Sequence, residues 1–238
     1  DIRIDSSPEH EGYEGLLGSV VRAERLREVL AYTGFTRLDA PDSGVADDLE
    51  VPNRAPISRD RPTWVPAAET RGEGIFLTLN EESLQAWEDR VGASEHGEAL
   101  RAAHERWRLR RNLSAGSGWR GMRYLLLHSL SHLLINELAM ECGYSAASIR
   151  ERIYCSEGGE EAAMAGVLLY TAAPDSEGTL GGLVSLARPE TLGRLLNPAL
   201  SRAHLCGSDP LCAEHLPLDT EDALHGAACH SCLFIPET

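Results

Sequence analysis

The chain has 238 residues, 42% hydrophobic and 25% charged, the balance of a globular protein with a buried core, which excludes a disordered chain. Twenty-two arginines, no lysine and 37 acidic residues give a net charge of −15, which argues against a general polyanion binder. The longest apolar run, "LLLHSLSHLLI", is too short and too polar for a bilayer span, and no signal peptide opens the chain, so the expected compartment is the cytoplasm, with no membrane partner. Opening on Asp1 and ending just after "LFIP", the chain reads as a piece of something longer.

In chain order, Leu16, Leu17, Val20, Val21, Leu26, Val29 and Leu30 recur at roughly helical spacing and stop at Gly34, predicting a helix with a glycine C-cap. Residues 39–62 hold Pro41, Pro52, Pro56 and Pro62 and few large apolar side chains, predicting a long loop or strap. "GIFLTL" at 74–79 predicts a buried strand. Asn80, followed by Glu81 and Glu82, predicts an N-capped helix, and another helix is predicted over 94–112. "GSG" at 116–118 separates it from the strongest helix, 119–141, whose Leu126, Leu130, Leu133, Leu134 and Leu138 mark it as the central core helix. A short helix from Ser145, strands near 152–156 and 163–172, and helical spacing over 180–186 and 192–205 complete the pattern.

The fold class is therefore α/β or α+β: mixed helices and a small sheet around a long buried helix, ending in a four-cysteine lobe. The predicted segments are helical over 1–38, a strap over 39–62, a strand with helices over 63–118, an α/β core over 119–205 and the lobe over 206–238.

Cys206 and Cys212 form a C-x5-C, and 16 residues later Cys229 and Cys232 form a C-x-x-C. Two close thiol pairs joined by a loop suit tetrahedral Zn2+, and four sulfur ligands leave no position for substrate, so the expected metal is structural. His204, His215 and His230 flank the cluster and allow a Cys3His variant. Cys142 and Cys155 stand singly on core elements and read as ordinary buried thiols.

His128 and His132 lie one helical turn apart, the spacing of helical zinc peptidases, but Ser129 stands where those enzymes need their general-base glutamate. A hydrogen-bonded histidine pair tying the helix to neighbouring backbone is the preferred reading. "DSEGTLGG" at 175–182 lacks the lysine of a phosphate-binding loop and reads as a tight turn with Thr179 as N-cap. Residues 101–135 carry seven arginines and one acid, Glu105. Within this island Arg106, Arg108, Arg110, Arg111, Arg120 and Arg123 are candidate nucleic-acid contacts, with internal salt bridges the competing use.

The stretches "LLLHSLSHLLINELAMECGYSAASIRERIY", "GVLLYTAAPDSEGTLGGLV" and "HGAACHSCLFIPET" together resemble the C-terminal region of DrmB-like proteins of the DISARM anti-phage systems. More distantly they resemble the zinc-binding domain that ends MrfA-type DNA-repair helicases. The resemblance covers residues 120–238 well and the first 120 loosely. It implies a non-catalytic accessory module beside a DrmA-like superfamily 2 helicase, handling DNA in antiviral defence, with zinc on Cys206, Cys212, Cys229 and Cys232. The competing readings are an interaction scaffold that never meets DNA and a metal-dependent hydrolase or nuclease built on His128 and His132; the latter needs a carboxylate ligand that the sequence spacing does not supply.

Overall fold

The computed structural model describes residues 2–5, 13, 15–36, 55–110, 112, 114–116, 118–159, 162–171, 182–216 and 232–233. Most of the proline-rich strap and nearly all of the "DSEGTLGG" turn, Thr179 included, lie outside the described residues. Five described strands form one antiparallel sheet in the order β1-β2-β5-β7-β6. They are β1 (Ile2–Asp5), β2 (Leu17–Ala31), β5 (Ala67–Leu79), β6 (Ile149–Ser156) and β7 (Met164–Thr171), while β3 (Gly34–Phe35) and β4 (Ala55–Pro56) pair separately. The mixed α/β class expected from the sequence is what the chain adopts.

The first predicted helix is a strand. β2 pairs with β5 from Leu17 to Ala31, with register shifts between Leu17 and Val20 and between Ala23 and Leu26. A bulge between Leu17 and Val20 adds a residue to β2 and keeps both on the core face, whereas the register is regular from Val20 to Ala23, so Ala23 lies on the opposite face; the buried positions fall at Leu17, Val20 and Ala23. That spacing of three imitates a helical face in a strand whose ordinary period is two. The helical propensity of the stretch gives way to strand pairing along its fifteen residues.

The remaining elements fall close to expectation. Asn80 caps α1 (Glu81–Gly92), its side chain accepting from the Ser83 amide at 3.0 Å. α2 (Glu95–Arg110) follows, then α3 (Gly121–Cys142), which ends on Gly143 in the left-handed conformation at φ 70°. The helix predicted from Ser145 is a single 3-10 turn, Ala146–Ser148, running directly into β6. α4 (Gly182–Ser185) and α5 (Pro189–Ala203) close the described core.

α3 packs on β6, β7 and α5, and one apolar cluster joins Leu17, Val20, Ile75 and Leu77 of the sheet to Leu127, Leu134, Ile135 and Leu138 of α3 and to Leu192, Leu195 and Leu196 of α5. One core therefore runs from β2 to α5. On α3 the fully buried leucines are Leu127, Leu134 and Leu138, whereas Leu126, Leu130 and Leu133 are half-buried.

Glu73 is a buried acid that sequence reading missed. It is 1% exposed and accepts from the Leu183 amide at 2.9 Å and the Val184 amide at 3.4 Å, fastening α4 to β5. Gly72 beside it lets β5 and β7 approach, since a Cβ there would stand 1.7 Å from the Thr171 carbonyl oxygen. Glu73→Ala strips two buried amides of their acceptor and is expected to cost about 1–3 kcal/mol in urea unfolding. An unchanged midpoint would show that the α4 contact contributes nothing.

Candidate metal centre

The thiol cage begins where α5 ends. Past Ala203 the chain turns through "CGSDPL", where the Asp209 carboxylate accepts from the Leu211 amide at 2.9 Å and the Asp209 carbonyl from the Cys212 amide at 3.1 Å. This aspartate-proline turn folds the five intervening residues tightly enough for Cys206 and Cys212 to face each other across an otherwise wide spacing. Cys212 sits in the 3-10 turn Cys212–Glu214 and is 3% exposed. Cys232 arrives from the end of the chain.

The sulfurs of Cys206, Cys212 and Cys232 all lie within 4.8 Å of one another, and Cys212 Sγ is 3.9 Å from Cys232 Sγ. A disulfide would require about 2.05 Å. Tetrahedral zinc with Zn–S bonds of about 2.3 Å sets its sulfurs about 3.8 Å apart, and the Cys212–Cys232 separation fits that edge. Three of the four expected ligands are thus brought together; Cys229, like His230, lies outside the described residues. His204 and His215 are not members of the metal-competent groups among the described residues. The site fits structural zinc.

Elsewhere the remaining thiols behave as core residues. Burial, then the negative charges of Glu73 and Glu141, push the Cys142 thiol up to about 11, and burial also raises Cys155. Neither thiol is poised as a nucleophile or ligand at neutral pH.

A second cluster joins α3 to β6. His132 Nε2 lies 2.9 Å from His128 Nε2, Glu151 Oε1 is 3.2 Å from His128 Nε2 and 3.7 Å from His132 Nε2, and His132 Nδ1 lies 2.9 Å from the Leu233 carbonyl oxygen. The histidine pair is tied to neighbouring backbone as the spacing suggested, and the backbone is that of the residue following Cys232. Burial pushes the Glu151 carboxyl up, but the neighbouring His128 and His132 rings outweigh it and hold the group below its ordinary range.

The arginine island separates into different uses. Arg123 is not a nucleic-acid contact: its side chain is 0% exposed and forks onto Glu88 and Glu81, with Nη1 also donating to the Ser156 carbonyl at 2.7 Å. Its side chain points into the junction of α1, α3 and β6, where phosphate cannot reach. Arg108 donates from Nε to the Ser114 carbonyl at 2.6 Å, and Arg120 lies 4.5 Å above the Tyr124 ring. Arg110 and Arg120 are exposed and Arg106 is half-buried; Arg111 lies outside the described residues.

An antiparallel sheet buttressed by one long helix, with a thiolate cage beyond α5, defines a zinc-binding module. Residues 130–233 match the family described as the MrfA Zn-binding domain, an interval that runs from mid-α3 to the residue beyond Cys232. The chain is also similar to the DISARM protein DrmB of Bacillus paralicheniformis, with 34% identity over 244 residues in an alignment that takes in 100% of this chain and 41% of the relative. The chain therefore spans about two fifths of the length of the curated relative it matches. The resemblance read from the motifs is upheld. Among the described residues no helix is long and apolar enough to cross a membrane.

Proposed function

We propose that this chain is the zinc-binding accessory portion of a DISARM anti-phage defence protein, non-catalytic itself, which docks a DrmA-like superfamily 2 helicase and supports its hold on DNA in the cytoplasm. The observation that carries the reading is the thiolate cage within the interval matched to the MrfA Zn-binding domain. With Cys229 as fourth ligand, its all-sulfur shell offers no coordination position to a substrate, so the metal holds structure rather than performing chemistry. Similarity to DrmB supports the defence setting.

DNA contact falls to the candidate arginines of the basic island that are exposed among the described residues, Arg110 and Arg120 at the two ends of the α2–α3 connection. The overall charge of −15 repels a duplex, so binding must be local and steeply salt-dependent. A fluorescent single-strand-tailed duplex titrated across a salt series is expected to bind at low salt. Arg110→Gln and Arg120→Gln should each flatten the salt dependence, by about 1 in slope for every phosphate no longer neutralised. No binding at low salt would assign DNA to the helicase alone. Co-purification with that helicase, abolished when Cys212 is replaced by serine, tests docking separately.

A further inference from the structure

We infer that His128, His132 and Glu151 form a second divalent-cation site, suited to zinc, that pins α3 to β6 and adjoins the thiolate cage through Leu233. The three facing atoms are separated by 2.9, 3.2 and 3.7 Å. Tetrahedral zinc with imidazole and carboxylate ligands at about 2.0–2.1 Å has edges of about 3.3 Å, the middle of that set. The carboxylate that sequence spacing along α3 cannot provide comes from the neighbouring strand, where Glu151 faces the helix.

The protonation pattern points the same way. A carbonyl oxygen only accepts, so His132 Nδ1 carries the proton that bonds Leu233, and neutral His132 then presents the lone pair of Nε2 to the cluster. Ligand histidines are commonly fixed by such a backbone carbonyl. Ionised Glu151 offers only acceptors as well, and its Oε2 is buried with no hydrogen-bond partner among the described residues. A proton on His128 Nε2 could satisfy one of these acceptors at a time, whereas a cation satisfies all three atoms together. Two imidazoles with one carboxylate select zinc and its transition-metal neighbours over magnesium or calcium, which prefer all-oxygen shells. His128 is 30% exposed, leaving a route for the ion and for a water as fourth ligand.

This site rests on residues distinct from the cysteines, so it stands or falls independently of the functional reading above. The test is metal stoichiometry of the intact chain equilibrated with excess zinc and freed of unbound ion, alongside cobalt substitution. Two equivalents are expected for the unmodified chain and one for His128→Ala and for the size-conserving Glu151→Gln. In both variants the near-ultraviolet cobalt–thiolate band should be undiminished. A single equivalent that persists in His128→Ala and Glu151→Gln overturns the proposal, as does retention of both equivalents in the two variants; a single equivalent that both variants abolish upholds this site and places the failure in the cysteine cage.

Discussion

Arg123→Ala is expected to lower the unfolding free energy by about 3–5 kcal/mol, the range for removing one partner of a buried charge pair. The guanidinium is wholly enclosed and spends its fork on two acids: Nε and Nη2 on Glu88, at 3.0 and 2.8 Å, and Nη1 and Nη2 on Glu81. Nη1 also serves the carbonyls of Ser156 and Met164, so one side chain joins α1, α3, β6 and β7. Hydrogen bonding to Glu88, partly offset by burial and reinforced by Glu81, holds the guanidinium above even its usual range. Glu88 is 12% exposed and would be left charged and nearly dry, whereas Glu81 is 45% exposed and would recover water. The loss therefore comes chiefly from Glu88 and the two carbonyls. Arg123→Lys keeps the charge without the planar fork and should fall between the two. A urea midpoint for the alanine variant equal to that of the unmodified chain would show the cluster to be neutral.

Arg123 also shows where sequence reading loses its grip. As one of seven arginines in a 35-residue island it is indistinguishable by composition from Arg110, yet one faces the interior and the other solvent. Which is which depends on Glu81 and Glu88 arriving from another helix, a long-range coincidence that local patterning does not encode. The same holds for the histidine pair: its spacing is legible on α3, but Glu151 belongs to a strand that only the packed fold brings opposite. β2 reads as a helix for a different reason, because one bulge between Leu17 and Val20 and burial of Ala23 on the opposite face together give a spacing of three. Local chemistry is legible where it is sufficient by itself, as in the Asn80 cap, the Gly143 stop of α3 and the clustering of thiols at the end of the chain. The buried Glu73 has no such local signature.

Removing the cage metal is expected to release the end of the chain while leaving the sheet intact. Among the residues from His204 to Leu216 whose burial is described, which leaves out Ala213, only Cys212 is buried, and the principal apolar cluster of described residues reaches no further than Leu196. Hydrophobic burial thus contributes little to holding these residues, and the thiolate–zinc bonds must offset most of the ordering entropy of the lobe. Structural zinc sites bind with apparent free energies of about 10–16 kcal/mol in isolated peptides at neutral pH, enough to cover that cost. Chelation, or Cys212→Ser, should therefore abolish the cobalt–thiolate band and expose residues 204–216 to protease. The far-ultraviolet signal of the sheet and α3 should persist. Acidification should act in the same direction, because protons compete with zinc for the thiolates. A lobe as protease-resistant without zinc as with it would mean that packing, not metal, holds it. Cys229→Ser extends the test to the fourth ligand: loss of the metal would place Cys229 in the shell. Undiminished zinc affinity with a nitrogen among its ligands would give that position to a histidine, and His204, His215 and His230 become the variants that decide which.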